Sequence, residues 1–204
     1  MILKNALTPS YSHWIVSACN NILDKFGLDN YEYILKEHHL PEVKQAYSTL
    51  GPFDFTVQAT DEFSEDERTL VEKFETRRSG NMFRGQVNAQ GRPDGTGFKL
   101  FPNGSVYEGF FEDGQCHGEG RGVSMAGDVF QGNFKYDVMD GYGFYMWNDG
   151  RIFEGDWKQG RKNGLGRYFW CDGKVYDGEF KDNECHGKGK LFYPDGKVFE
   201  GFWR

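Results

Sequence analysis

The chain has 204 residues, 28 of them glycine, with a formal net charge of −7 and a pI near 5.3. A weakly acidic chain lacks the basic face that a nucleic-acid binder uses to neutralise phosphates, which argues against nucleic acid as a partner. At 17% aromatic residues it also carries far more ring surface than a disordered, low-complexity protein.

In chain order, residues 1–80 read as a mostly helical capping or docking region. TPSYSHWIVSACNNILDKFG sets Trp14, Ile15, Ala18, Ile22 and Phe26 on one stripe, with Gly27 as its stop. DNYEYILKEHH, N-capped by Asp29, predicts a short helix. LPEVKQAYSTLG predicts another, with Pro41 in its first turn and Gly51 after its end. PFDFTVQA alternates as a short strand does. Ser64 followed by Glu67 reads as a capping box for a last helix, SEDERTLVEKFETRRSG, whose Leu70, Val71 and Phe74 share a face. That segment is expected to cap the first hairpin of the glycine-rich half. The start of the chain has no apolar run of signal-peptide length, and no window approaches a membrane span. Four scattered cysteines do not make a disulfide framework, so a reducing, cytoplasmic location is expected.

From residue 83 the sequence repeats. Phe83, Tyr107, Phe130, Phe153, Tyr176 and Phe199 open successive units at spacings of 24, 23, 23, 23 and 23. Each unit has a glycine two residues on, usually a second aromatic two further, a turn, a Gly-x-Gly step, an apolar run and a second turn ending in glycine. In FEGDWK, Phe153, Gly155 and Trp157 point one way and Glu154, Asp156 and Lys158 the other. Glycine inside a strand needs a cause, and room for a ring lying flat on the backbone supplies one. The NDG, CDG and PDG turns suit tight reversals with glycine at positive φ. The predicted fold is therefore mainly β: an elongated single-layer antiparallel sheet of stacked hairpins. Five full repeats and a half repeat cover residues 83–204, after the small helical region.

Several motifs invite chemistry and are better read as architecture. Gly-x-Gly recurs five times in strand context, whereas a dinucleotide loop needs one such turn between strand and helix. Cys116-His117 and Cys185-His186 are three periods apart, roughly 29 Å along the sheet at two strands per unit. One metal ion cannot bridge that distance, and neither can a disulfide. Glu108, Glu154 and Glu200 occupy equivalent places and are expected to pair with Lys or Arg on adjacent strands of a solvent face. No catalytic residue, metal site or cofactor is expected.

FEGDWKQGRKNGLGRYFWCDGKV resembles the MORN (Membrane Occupation and Recognition Nexus) repeat, and the resemblance extends over residues 83–204. It is strong from Phe130 onward and in Tyr107–Gly120. It is weaker in the first unit, where FRGQVN lacks the second aromatic, and in the second, where GRGVSMAGD lacks the aromatic run. A groove lined by those rings is expected to be interrupted there. The resemblance implies an elongated twisted sheet with an aromatic-lined groove. It also implies scaffolding between membranes and cytoskeleton or in ciliary axonemes, and repeats that do not catalyse.

The rings expected to bind a partner are Phe130, Phe134, Tyr145, Trp147, Phe153, Trp157, Tyr168, Trp170, Tyr176, Phe180, Tyr193, Phe199 and Trp203. A single-layer sheet leaves such rings to be covered by the N-terminal helices or by a partner, or to stay exposed. The expected partner is an apolar helix or extended segment of another protein, within a multi-subunit cytoskeletal assembly. The edge of VFEGFWR is expected to pair with a partner or another copy. The competing expectation is a membrane-targeting adaptor, in which Lys158, Arg161 and Lys162 bind anionic lipid.

Overall fold

A computed structural model describes residues 40–51, 53 and 68–204. The expected helices over TPSYSHWIVSACNNILDKFG and DNYEYILKEHH lie outside the described residues, as do the PFDFTVQA strand beyond Phe53 and the Ser64–Glu67 capping box. One helix, α1 (Pro41–Leu50), is described, and it falls where the sequence places it. Pro41 stands in its first turn, Gly51 closes it at φ 74°, and Val43, Ala46 and Tyr47 form its buried stripe.

Twelve strands follow: β1 (Thr69–Thr76), β2 (Met82–Val87), β3 (Pro93–Leu100), β4 (Val106–Glu112), β5 (Gln115–Val123) and β6 (Val129–Lys135), then β7 (Val138–Met146), β8 (Ile152–Lys158), β9 (Arg161–Phe169), β10 (Val175–Lys181), β11 (Glu184–Phe192) and β12 (Val198–Trp203). They form one open antiparallel sheet in chain order, as the repeat predicts. Two kinds of reversal join them. Tight two-residue turns with both φ positive link the strands within a unit: Asp113-Gly114 (47°, 93°), Tyr136-Asp137 (50°, 67°) and Asp182-Asn183 (49°, 78°). That geometry matches the twist of the flanking strands. Between units, the Trp147–Arg151 turn is closed by Trp147 N–H donating to Arg151 O at 3.0 Å and Gly150 N–H to Trp147 O at 2.9 Å. Equivalent pairs recur at Phe101, Trp170 and Tyr193.

The segment TLVEKFET is a strand and not the expected helix. Leu70, Val71 and Phe74 satisfy a helical stripe, but Thr69 and Val71 are β-branched and β2 offers a free edge. As a strand, Val71 joins the rings on one face, while Phe74 meets Phe98 on the other at 5.6 Å. Among the described residues the sheet thus begins at residue 69, inside the region expected to be helical. It is capped by an added strand with a register shift between Val71 and Glu75.

Register is held by glycine. One glycine from each of β2 to β12 faces the next across the sheet, as in Gly143↔Gly155↔Gly166↔Gly178↔Gly189. A Cβ built on Gly166 would stand 2.6 Å from Cζ of Phe153, so the ring of one strand lies on the bare backbone of the next. The expected role of the strand glycines is borne out.

The sheet has two faces. On the helix face, Val43, Ala46 and Tyr47 of α1 pack onto Phe98, Val106, Val123, Val129, Met146 and Ile152. Beside them lies a row of charges that the sequence places in solvent. Glu108 and Arg121 are instead only 3% and 2% exposed, with the Arg121 guanidinium 4.9 Å from the Tyr47 ring and 5.7 Å from that of Phe53. The expected cross-strand pairing holds for Glu108 and Glu200 but not for Glu154. Arg121 Nε donates to Glu108 Oε1 at 2.7 Å, and Lys190 pairs with Glu200 at 3.0 Å. Arg167, which faces Glu154, pairs with Asp177 (2.8 Å) instead, and the Tyr142 hydroxyl donates to Glu154 Oε1. Burial, then the adjacent Glu108 carboxylate, pushes the Tyr47 hydroxyl pKa well above that of a free tyrosine.

Candidate interaction surface

The face opposite α1 belongs to the rings, so the described helix does not cover them. They form two layers. The floor is an edge-to-face chain running Phe83, Phe111, Tyr107, Phe134, Phe130, Trp157, Phe153, Phe180, Tyr176, Trp203. Centroid separations such as 4.9 Å for Phe153–Phe180 and 5.1 Å for Tyr176–Phe180 suit the ring quadrupoles. Trp157 Nε1 donates to Gly143 O at 3.2 Å, anchoring the indole to the neighbouring strand.

Above the floor is a rim. Tyr145 and Trp147 are 4.5 Å apart, Trp147 and Tyr168 5.5 Å, and Tyr168 and Trp170 4.6 Å, all at tilted angles. Rim residues stand near the end of the second strand of a unit and at the first residue of the turn after it. In the second unit those positions are Gly122 and Ser124. The interruption expected there therefore affects the rim, while the floor passes through unbroken because Phe134 touches Tyr107 at 4.9 Å.

This layering divides the thirteen expected partner-binding rings. Phe130, Phe153, Trp157, Tyr168, Tyr176 and Phe180 are buried. Phe134, Tyr145, Trp147, Trp170, Tyr193 and Trp203 are half-buried. Phe199 is 58% exposed and contacts Tyr193 at 5.6 Å. Sequence reasoning missed Arg151 and Lys174 and gave Lys162 to lipid, whereas all three lie over the rim: Arg151 over Trp147 (5.2 Å), Lys162 over Tyr168 (4.5 Å) and Lys174 over Trp170 (5.8 Å). Arg151 and Lys174 hold the same turn position in successive units, a signal that aligning the units displays.

The three residues expected to bind lipid do not share a face. Lys158 and Arg161 lie opposite one another on the helix face, and Arg161 pairs with Asp182 at 3.2 Å. Lys162 turns to the ring face. The cysteines of the two Cys-His pairs also find a place. Cys116 faces Phe111 and Cys185 faces Phe180, equivalent positions under the rings where burial raises both thiol pKa values. Among the described residues there is no cluster of three or more His, Cys, Asp or Glu suited to a metal ion, and no helix long and apolar enough to cross a membrane.

An open sheet of recurring hairpins, one face closed by ring-on-glycine packing and rimmed by half-exposed tryptophans, defines a repeat protein built for interaction. The MORN repeat family model matches residues 89–106, 107–121, 130–150, 153–175 and 176–198, and the chain belongs to that family. No curated protein matches the chain. Among solved structures it is similar to the SAS-4 (dCPAP) TCP domain of Drosophila melanogaster, in complex with a proline-rich motif of Ana2 (dSTIL). That likeness has 14% identity over 64% of this chain and 77% of the other, with a TM-score of 0.37. A point mutant of the TCP10 domain of Danio rerio CPAP gives 18% identity over 64% and 77%, at a TM-score of 0.26.

Proposed function

We propose that this MORN-repeat protein is a non-catalytic scaffold that captures a helix or extended segment of another protein on its ring face, within a cytoskeletal, ciliary axonemal assembly. The observation that carries the docking half of this reading is the rim. Tyr145, Trp147, Trp170 and Tyr193 are half-buried rings standing in a row on a floor that needs none of them for closure. Large, pre-positioned aromatic surfaces of this kind supply contact area at low entropic cost and are enriched among binding hot spots. The assembly half rests on the family, whose repeats serve interaction.

The outer edge of β12 is the second contact surface in this reading. Gly189 makes room for the Tyr176 ring, yet a Cβ built on Gly201 would meet nothing within 4 Å. A strand added there, from a partner or another copy, would receive the Phe199 ring if it carried glycine opposite Gly201.

The test is crosslinking mass spectrometry and affinity capture from native extract with the full chain and its Trp147→Ala/Trp170→Ala variant. The variant should keep a cooperative melt and lose the ring-face partner. Unchanged capture would reject the docking surface.

A further inference from the structure

Across β6 to β12 the register gives the ring face a single charged side chain among the described residues, that of Lys162. From the second unit to the fifth its position recurs as Cys116, Met139, Lys162 and Cys185, facing Phe111, Phe134, Trp157 and Phe180 in turn, with Pro93 opposite Val87 in the first. In the other three of those units a thiol or a thioether fills this slot, tucked against rings. Here it holds an ammonium. Nζ lies 4.5 Å from the Tyr168 centroid and 5.6 Å from those of Trp147, Phe153 and Phe180. Four ring faces offer a quadrupole but no counter-charge, and an ammonium has three N–H donors to place. No carboxylate of the described residues forms an ion pair with it. The flanking cations differ: Arg151 is held by Asp149 at 2.7 Å and Lys174 by Asp172 at 3.0 Å. Burial depresses the Lys162 pKa against the smaller opposing pull of the Cys185 thiol, and nearby Arg151 acts with burial, as expected of a partly desolvated cation without a carboxylate beside it.

We infer that the segment docking on the ring face is acidic as well as apolar, and that it seats a side-chain or terminal carboxylate on Lys162 between Trp147 and Tyr168. This rests on the proposed ring-face docking and specifies the partner's chemistry. Charge complementarity selects the occupant, since the face offers one unanswered cation in an apolar trough. Methionine, which the repeat itself uses at this position, would otherwise serve the fold better. A phospholipid headgroup is a poorer match, because Lys158 and Arg161 face the other way.

The experiment selects phage-displayed 16-residue random peptides on the immobilised full chain, on Lys162→Met and on Trp147→Ala/Trp170→Ala. Affinities of the leading peptides and of their acid-to-alanine forms are then measured by fluorescence anisotropy. Peptides selected on the natural chain should combine apolar residues with Asp or Glu. Lys162→Met should weaken them about ten-fold or more, the scale of a charge-assisted hydrogen bond. The alanine forms should bind both proteins alike, closing a double-mutant cycle. Lys162→Met should also melt at the same or a higher temperature. Acid preference unchanged by Lys162→Met would overturn the carboxylate seat while leaving ring-face docking intact. A marked drop in melting temperature would overturn it too, by making the lysine a structural cation. Binding indifferent to Trp147→Ala/Trp170→Ala, or no binding peptides at all, would reject the docking surface itself.

Discussion

The region from β4 to β8 and the region from β9 to β12 are made from the same unit and present different surfaces. In the first, the apolar row Val106, Val123, Val129, Met146 and Ile152 lies beneath α1, and the Glu108–Arg121 pair is sealed from water. In the second, the row passes from Phe169, which still packs against that cluster, to Val175, Phe192 and Val198, with Phe192 37% and Val198 51% exposed. Its ion pairs stand in solvent, as in Lys190–Glu200 at 50% and 68% side-chain exposure. The repeat therefore encodes two usable faces at every step. What decides whether a face becomes core is the element laid upon it.

The largest test of that contrast is charge. Arg121→Ala leaves Glu108 buried and alone, and should cost about 3–5 kcal/mol in denaturant unfolding. Lys190→Ala, at an equivalent row position in the open region, should cost about 1 kcal/mol or less. Equal effects would mean that α1 contributes no special environment. Next comes the glycine spine. Gly155 has φ 156°, and a Cβ there would sit 2.5 Å from Gly166 Cα, so Gly155→Ala should destabilise by roughly 2–4 kcal/mol. Gly201→Ala should fall within about 0.5 kcal/mol in the same urea titration. The smallest effect at neutral pH is alkaline. Burial raises the hydroxyl pKa values of Tyr47, Tyr107 and Tyr176, the last to about 12. An unfolded tyrosine releases its proton near pH 10, before the native state does. Stability from these groups is complete below that point and declines as pH climbs toward the native values. Urea midpoints at pH 8, 10 and 11 should fall progressively, and Tyr47→Phe should flatten the covered region's share.

The sheet is legible in the sequence because its determinants are local and periodic. Phe153, Gly155 and Trp157 alternate with Glu154 and Asp156, and a fixed beat leaves little choice of partner for each strand. β1 passes for a helix because Leu70, Val71 and Phe74 satisfy two periods at once, and only the vacant edge of β2 chooses between them. Glu108 reads as solvated because it holds the same position in its unit as Glu154 and Glu200 do in theirs. Its burial depends on Tyr47 and Phe53, which lie far upstream of the repeats. The ring face is legible as a surface but not as two layers, since which aromatic lies flat on a glycine follows from strand pairing. Stacking the units would have revealed Lys162, a lysine standing in a column of Cys, Met and Cys.

The glycine spine has a consequence for how such a molecule can change size. Removing one whole unit anywhere along it rejoins matching strand edges and leaves every surviving ring above a bare backbone. Removing a single residue inside a strand flips the rest of that strand to the wrong surface, and removing a pair slides its ring onto a neighbour that has a side chain. The extra residue of the first unit leaves the glycine register beyond it intact. Growth and shrinkage are therefore quantised in whole units. Related chains should differ in reach by multiples of about 9.6 Å, two strand spacings.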